Sequence, residues 1–364
     1  HPACECRLAR SRWCVGPRLA RPAGPVPDAQ KRICRRVARL TPLPAVPMSD
    51  AAPTPWSRRA APAFLLAHCV LIAFSTIALT TFLKGPAPSW LAEEPNATIL
   101  RLGWTYSGPV YVVLGAVAAL LHLGAWIGWR RTIPLFLVSS GVALGSELLG
   151  ASTQLPFGEY TYTTLLGYRV FDLVPFPIPI SWFYMIVGSL AMVGRLMTAR
   201  DDNATKWKWS LVGGLILVAW DVSMDPAMVK TLHWIWGDGD RFVQSGLPGP
   251  VIAFFTKDIF YGMPLSNWFG WYLTGVIIAR LVLFFAPPTL WATRISPTWL
   301  PIVLYAVNGI MPIALCVRDD MMWAAVLGTI AMAVPVALAA RGRPRLATDV
   351  ARSGRATAPL PRTA

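Results

Sequence analysis

Residues 321–340 read Met321-Met322-Trp323-Ala324-Ala325-Val326-Leu327-Gly328-Thr329-Ile330-Ala331-Met332-Ala333-Val334-Pro335-Val336-Ala337-Leu338-Ala339-Ala340. Asp319 and Asp320 precede the run, and Arg341 and Arg343 follow it. Nothing in it is charged, and as a helix rising about 1.5 Å per residue it crosses the roughly 30 Å hydrocarbon core of a bilayer. The flanks add a direction, because lysine and arginine collect on the cytoplasmic side of a membrane helix. Extended along the chain, this reading predicts eight spans at roughly 62–83, 106–129, 132–152, 175–194, 209–226, 263–285, 298–317 and 321–340. The third and fifth carry carboxylates and are the weakest apolar runs. The expected fold is all-α, a polytopic integral membrane protein of about eight transmembrane helices.

Lysine and arginine placement supports that count. With the N-terminus inside, the inner segments after residue 47 hold sixteen Lys/Arg and the outer segments seven, while twelve acids lie outside and four inside. A wrong number of spans would scramble this alternation, so both termini are expected to be cytoplasmic.

The whole composition agrees. Of 364 residues, 55% are hydrophobic and 14% charged, with 17 Trp and a mean hydropathy of +0.49. A net charge of +15 would suit a nucleic-acid partner, but a soluble basic protein carries about a quarter of its residues charged. No nucleic-acid partner is expected. The charge is concentrated in two flanks: residues 1–47 carry a net +8, residues 341–364 a net +5, and the 293 residues between them only +2.

Three regions follow from this. Residues 1–61 form a basic Pro/Arg-rich flank, 62–340 a membrane domain and 341–364 a basic tail, and both flanks read as disordered. Residues 1–47 read as a mis-extended gene start, upstream of a true start at Met48; a basic anchor for anionic lipid is the alternative. Cys4, Cys6, Cys14 and Cys34 fit no zinc spacing, and Cys69 and Cys316 fall in apolar helices as packing residues.

Missing motifs narrow the chemistry. Four histidines (His1, His68, His122 and His233) are too few for a membrane di-iron centre, and no Gly-rich dinucleotide turn, P-loop, Gly-x-Ser-x-Gly or HExxH occurs. Asp201-Asp202 does not continue as a magnesium-diphosphate motif, since position 205 is Thr. Catalysis without metal or redox cofactor, by carboxylate acid–base chemistry, is the expectation.

The carboxylates are conspicuous. Glu147 sits near the outer end of the third span, where an ionisable group costs about 2.5–3.5 kcal/mol and is usually kept for function. Gly141 and Gly145 predict a smooth face for close helix approach. Asp221 and Asp225, in Trp220-Asp221-Val222-Ser223-Met224-Asp225-Pro226, are four apart and share a helical face, although Pro226 biases Asp225 away from helix. Two such carboxylates cannot both ionise cheaply, which leaves a protonated acid available at neutral pH. The long outer loops 153–174 and 227–262 are rich in aromatics. Phe157, Tyr160, Tyr162, Trp182, Trp234, Trp236, Trp268 and Trp271 form either an interfacial belt or the wall of a site. Asn267 either orients a ligand or water or joins two helices. His68 and His122 read as interhelical hydrogen-bond partners, and His233 as a candidate proton shuttle.

These residues resemble a known family. Glu147-Leu148-Leu149-Gly150 followed by Leu155-Pro156-Phe157-Gly158-Glu159-Tyr160-Thr161-Tyr162-Thr163 is similar to the carotenoid biosynthesis integral-membrane family, of the carotenoid 1',2'-hydratase and bisanhydrobacterioruberin hydratase type. The likeness continues through Val174-Pro175, Ile178 to Phe183, Trp220-Asp221, Asp225-Pro226, Trp234-Ile235-Trp236, Gly262-Met263-Pro264, Asn267 and Gly270-Trp271, and covers about residues 62–340. Gln154, where Gly is usual, and Asp172, where a small residue is usual, depart from the pattern.

The resemblance implies hydration of the terminal C1'–C2' double bond of a linear carotenoid such as lycopene, γ-carotene or a C50 type. The implied route is protonation at C2', a tertiary cation at C1' and addition of water. Asp221 and Asp225 would then supply the acid and Glu147 the base, with Trp182, Trp234, Trp236, Trp268 and Trp271 facing the cation and Phe157, Tyr160, Tyr162 and Asn267 binding substrate. It implies no cofactor or metal, a multi-pass place in the cell membrane, membrane lipid around the protein and other carotenoid-pathway enzymes as partners. The alternatives are a carotenoid end-group cyclase and a non-catalytic membrane transporter or scaffold; no internal inverted repeat favours the transporter.

Overall fold

A computed structural model describes residues 55–83 and 88–347. Eight helices among the described residues are long and apolar enough to cross a membrane. They are α1 (Pro55–Ile77, running on as a π-helical turn to Phe82), α2 (Asn96–Ile127), α3 (Trp129–Thr153) and α4 (Pro177–Leu196). Then follow α5 (Asn203–Lys230), α6 (Leu265–Phe285), α7 (Leu300–Arg318) and α8 (Met322–Arg341). Each predicted span falls within or close to one of these helices, including the third and fifth. The protein is an all-α polytopic membrane fold. Most of the two basic flanks, residues 1–54 and 348–364 with Cys4, Cys6, Cys14 and Cys34, lies outside the described residues. Residues 55–61, read as flank, belong to α1, and Arg345–Leu346 pair in parallel with Thr198–Ala199.

The helix α4 is the axis of the bundle. Its apolar window is 89% buried against 22% for α1, so α4 meets protein on every side while α1 presents most of its surface outward. Small residues make this possible. A Cβ on Gly188 would stand 2.7 Å from the Tyr305 Cβ and 2.8 Å from the Pro301 carbonyl, so glycine there lets α7 lie directly against α4. Helices α5 and α6 approach in the same way, since a Cβ on Gly214 would meet Val276 at 2.7 Å and one on Gly275 would meet Leu217 at 2.8 Å.

Two sequence expectations need correction here. Gly141 and Gly145 are exposed and have no neighbouring atoms where a Cβ would project, so their smooth face receives no helix. Glu147 is nevertheless buried, because it lies with Ala143 and Gly150 on the opposite side of α3. Pro226 does not end α5. The helix continues to Lys230, and Asp221 and Asp225 remain one turn apart on one buried face.

Helix α7 is interrupted at Asn308–Gly309, between Leu300–Val307 and Ile310–Arg318. Arg195, in the last turn of α4, is buried at the far end of the bundle. It donates to the carbonyls of Ser296 at 2.6 Å, Pro297 and Thr298 at 3.2 Å and Ala339 at 3.4 Å, and stacks over Trp299 at 4.0 Å.

Candidate functional site

Two loops at one end of the bundle build the site. The α3–α4 connection contributes strand β1 (Tyr160–Tyr162) and the α5–α6 connection strand β2 (Trp234–Trp236). They pair antiparallel, with Tyr160 opposite Trp236 and Tyr162 opposite Trp234. Alternation along a strand then sorts the side chains: Thr161 and Ile235 face outward, and the four aromatic residues face the helices. Their rings meet edge to face, Tyr160 with Trp236 at 5.6 Å and Tyr162 with Trp234 at 5.7 Å.

This ribbon links two helices through their carboxylates. Glu147 of α3 accepts, on Oε2, the hydroxyls of Tyr160 at 2.7 Å and Tyr162 at 2.9 Å. Burial, followed by the neighbouring Glu147, holds both phenols well above the ordinary tyrosine range, so they remain protonated donors. On α5, Asp225 accepts the Trp234 indole N–H on Oδ1 and the Asn267 amide on Oδ2, both at 2.6 Å. The same amide donates to Asp221 Oδ2 at 3.1 Å, so Asn267 joins α6 to α5 across both aspartates. Among the described residues no lysine or arginine forms an ion pair with Glu147, Asp221 or Asp225. These are buried carboxylates met only by neutral donors.

Close packing fixes the geometry. Phe157 lies between Gly150 and Gly270, where added Cβ atoms would come within 2.6 and 2.5 Å of its ring. The Gly150 position would also meet the Tyr160 hydroxyl at 2.6 Å, so a glycine on α3 admits the ring that reaches Glu147. Ser266 holds the loop by donating to the Phe157 carbonyl at 2.8 Å.

The cavity between these groups has a volume of about 60 Å³ and opens outward at a mouth. At about 10–15 Å³ per water, the inner space suits a few waters beside an apolar group. Glu147, Phe157, Tyr160, Tyr162, Trp182, Asp225, Trp234, Trp236, Asn267 and Trp271 all line it. Trp182 stacks on Trp271 at 4.3 Å. Its indole N–H projects toward Glu147 without completing a hydrogen bond, and the Trp236 N–H is likewise unpartnered. Two expected site residues stand apart. Asp221 is fully buried behind Asp225, with Oδ1 unpartnered, and Trp268 packs on Phe260 at 5.4 Å outside the cavity.

The far wall carries a polar cluster that sequence reading missed. Asn308, at the break in α7, accepts the Tyr184 hydroxyl at 3.2 Å, donates to His68 Nε2 at 3.1 Å and to the Leu304 carbonyl at 2.7 Å, and receives the Trp220 indole on its own carbonyl at 3.1 Å. His68 Nδ1 faces the Tyr111 carbonyl at 2.7 Å, which assigns the proton to Nδ1. An amide in the middle of the apolar run 298–317 was the available signal. His68 thus bridges helices as expected, whereas His122 of α2 meets not a helix but Thr298 in the connection ahead of α7, its Nε2 lying 2.9 Å from the hydroxyl. His233 lies off the cavity wall against Thr231 at 2.8 Å, and burial pushes its pKa down to about 4. Among the described residues no three His, Cys, Asp or Glu side chains converge as a metal-binding set. Gln154 and Asp172 share a backbone feature: both are left-handed, with φ of 68° and 59°, a conformation that favours glycine.

A multi-pass helical membrane protein with an aromatic cavity between buried carboxylates is the class that this geometry defines. The family model described as "Carotenoid biosynthesis protein" matches residues 107–335, and the chain belongs to that family. It is 29% identical over 181 residues to the bisanhydrobacterioruberin hydratase of Haloarcula japonica, an alignment that takes in 48% of this chain and 53% of the relative. The chain therefore spans about half the length of that curated relative. No solved structure matches it.

Proposed function

We propose that this protein is a carotenoid 1',2'-hydratase, a hydro-lyase acting on the terminal C1'–C2' double bond of a linear carotenoid without a cofactor. The observation that carries the reading is that Glu147 and Asp225 face one aromatic cavity with no cation among the described residues to neutralise either. A single carboxylate would serve a binding site; two with different hydrogen-bond partners provide an acid and a base.

The steps follow from the partners. Each Asp225 oxygen accepts one N–H and keeps a lone pair free, so the protonated acid can give its proton to C2'. Asp221 shares the Asn267 amide and acts behind Asp225, holding the pair to a single negative charge. The tertiary cation at C1' lies among Trp182, Trp234, Trp236 and Trp271, whose ring faces stabilise it. Among the described residues Glu147 Oε1 receives no donor, and with the free Trp182 N–H it can hold a water. That water adds to C1' and gives its proton to Glu147, and exchange with solvent resets both carboxyls. The product is a 1'-hydroxy carotenoid.

The lysine and arginine distribution supports cytoplasmic termini, with this end of the bundle on the outer side of the cell membrane. Membrane lipid would surround the bundle, and other carotenoid-pathway enzymes would supply and withdraw its pigments.

Expression in lycopene- and γ-carotene-accumulating hosts tests the assignment by chromatography and mass analysis. Hydration adds the mass of one water per modified end. A cyclase, which begins with the same protonation, gives a ring at unchanged mass, and a transporter or scaffold leaves the pigment as it was.

A further inference from the structure

Pro312 stands in the second half of α7 and has no backbone N–H, so the carbonyl four residues before it, on Asn308, has no helical donor. The Trp220 indole of α5 takes that place, donating to the Asn308 carbonyl at 3.1 Å in a bond buried at both ends. The Asn308 side chain holds a second aromatic residue, accepting the Tyr184 hydroxyl of α4 on Oδ1 at 3.2 Å. His68 fixes which way round that amide lies. Its Nδ1 proton goes to the Tyr111 carbonyl, so its Nε2 accepts, and Asn308 Nδ2 turns to it and to the Leu304 carbonyl. Trp220, Tyr184, Asn308 and Pro312 all line the cavity that Glu147 and Asp225 share. Trp220 also continues into the rings around the proposed cation: it meets Trp271 edge to face at 5.9 Å, and Trp271 stacks on Trp182 at 4.3 Å.

We infer that Pro312 and Asn308 are positioning residues for hydration: by freeing one backbone carbonyl they hold Trp220, and through it the Trp271–Trp182 stack, against the carbocation until water adds. The inference rests on the hydratase reading and assigns this wall of the cavity its part in it. A helix without proline would commit the Asn308 carbonyl to its own backbone and leave Trp220 without an acceptor. The backbone is set for that exchange. Asn308 and Gly309 keep near-helical angles of φ −68°, ψ −13° and φ −82°, ψ −20°, so an N–H restored at position 312 would face the same oxygen. Chemistry says which step would suffer. A tertiary cation at C1' has two exits: water adds and gives a proton to Glu147, or a C1' methyl gives up the proton instead and an alkene isomer of unchanged mass leaves. Ring faces held in place stabilise the cation and shape the space that water enters, so a loosened wall slows its formation and lets more of it leave as alkene.

Wild type, Trp220→Phe, Pro312→Ala and the double variant of the full-length protein are assayed in lipid vesicles with a linear C40 carotenoid, and alcohol and isomeric alkene are resolved by chromatography with mass analysis. Trp220→Phe keeps a ring and removes the N–H, while Pro312→Ala keeps Trp220 and gives its acceptor another donor. Each is expected to lower kcat per folded molecule about tenfold, the effect of losing one hydrogen bond, with KM within about twofold and a raised ratio of alkene to alcohol. Because both break the same bond, the double variant is also expected to fall about tenfold, where independent effects would multiply to about a hundredfold. Where Trp220→Phe folds poorly, Pro312→Ala decides through its product ratio, since alanine is the better helix former at that position. Turnover and product ratio at wild-type values in the folded variants, or effects that multiply, overturn the inference while the hydratase reading stands. A wild type that releases no hydrated pigment overturns both.

Discussion

The two ends of the bundle each bury an ionisable side chain that has no counterion among the described residues, and they do so in opposite ways. At one end Arg195 gives its guanidinium to four backbone carbonyls and lays its face on Trp299. At the other, Glu147 and Asp225 receive tyrosine, tryptophan and asparagine donors. Four of the five guanidinium N–H groups are taken by backbone carbonyls. Each carboxylate keeps an unused lone pair beside an open cavity. The difference separates a buried cation that ties helix ends together from buried carboxyl groups that stand open to a cavity, as the proposed acid–base roles require.

Substitutions can break or sharpen that contrast. Asp225→Asn keeps shape and removes the transferable proton, so it is expected to lower hydratase turnover by about 10²–10⁴-fold with protein yield unchanged. Glu147→Gln is expected to cost about 10²-fold or more, read in the same pigment assay, because the water loses its base. Arg195→Met should act on stability instead. It leaves buried carbonyls unsatisfied at about 1–3 kcal/mol each, so the thermal midpoint falls while turnover per folded molecule holds. A catalytic defect at constant midpoint would erase the distinction between the ends.

Smaller effects grade the site. Tyr160→Phe removes one of two donors on Glu147 Oε2 and is expected to slow turnover about tenfold, as the loss of one hydrogen bond to a charged group does. His233→Gln should change pH dependence alone. The folded protein keeps this imidazole neutral, with a pKa of about 4 against about 6.5 in the unfolded chain. Between those values the unfolded chain binds the extra proton, so the stability tied to His233 is complete above about pH 6.5 and is lost as pH falls toward about 4. The variant is expected to flatten that slope in thermal melts between those pH values.

The helices were legible because their signal is local. A run such as 321–340, bracketed by Asp320 and Arg341, needs no knowledge of the rest of the chain. The carboxylates were legible for the same reason, since burying an ionisable group at membrane depth costs enough to require a purpose. The β1–β2 ribbon was not. Its three-residue strands lie in different loops, and only the tertiary fold sets Tyr162 against Trp234. The exclusion of Asp221 and Trp268 from the cavity was equally hidden, because spacing along a helix gives a face but not what stands before it. Asp225 remained helical through Pro226 because the surrounding packing overrode a local bias. The left-handed turns at Gln154 and Asp172 were invisible to a reading that expects glycine at such positions.

The central claim is that a carboxylic acid of this cavity protonates C2' and that water then takes C1'. Incubating the purified protein with a linear carotenoid in D2O, followed by mass and NMR analysis of the pigment, tests it most directly. The account predicts one non-exchangeable deuterium at C2' and one new hydroxyl at C1' per modified end, both absent with Asp225→Asn. Deuterium in a ring at C2' without added oxygen, or pigment recovered unlabelled and unchanged, would contradict it.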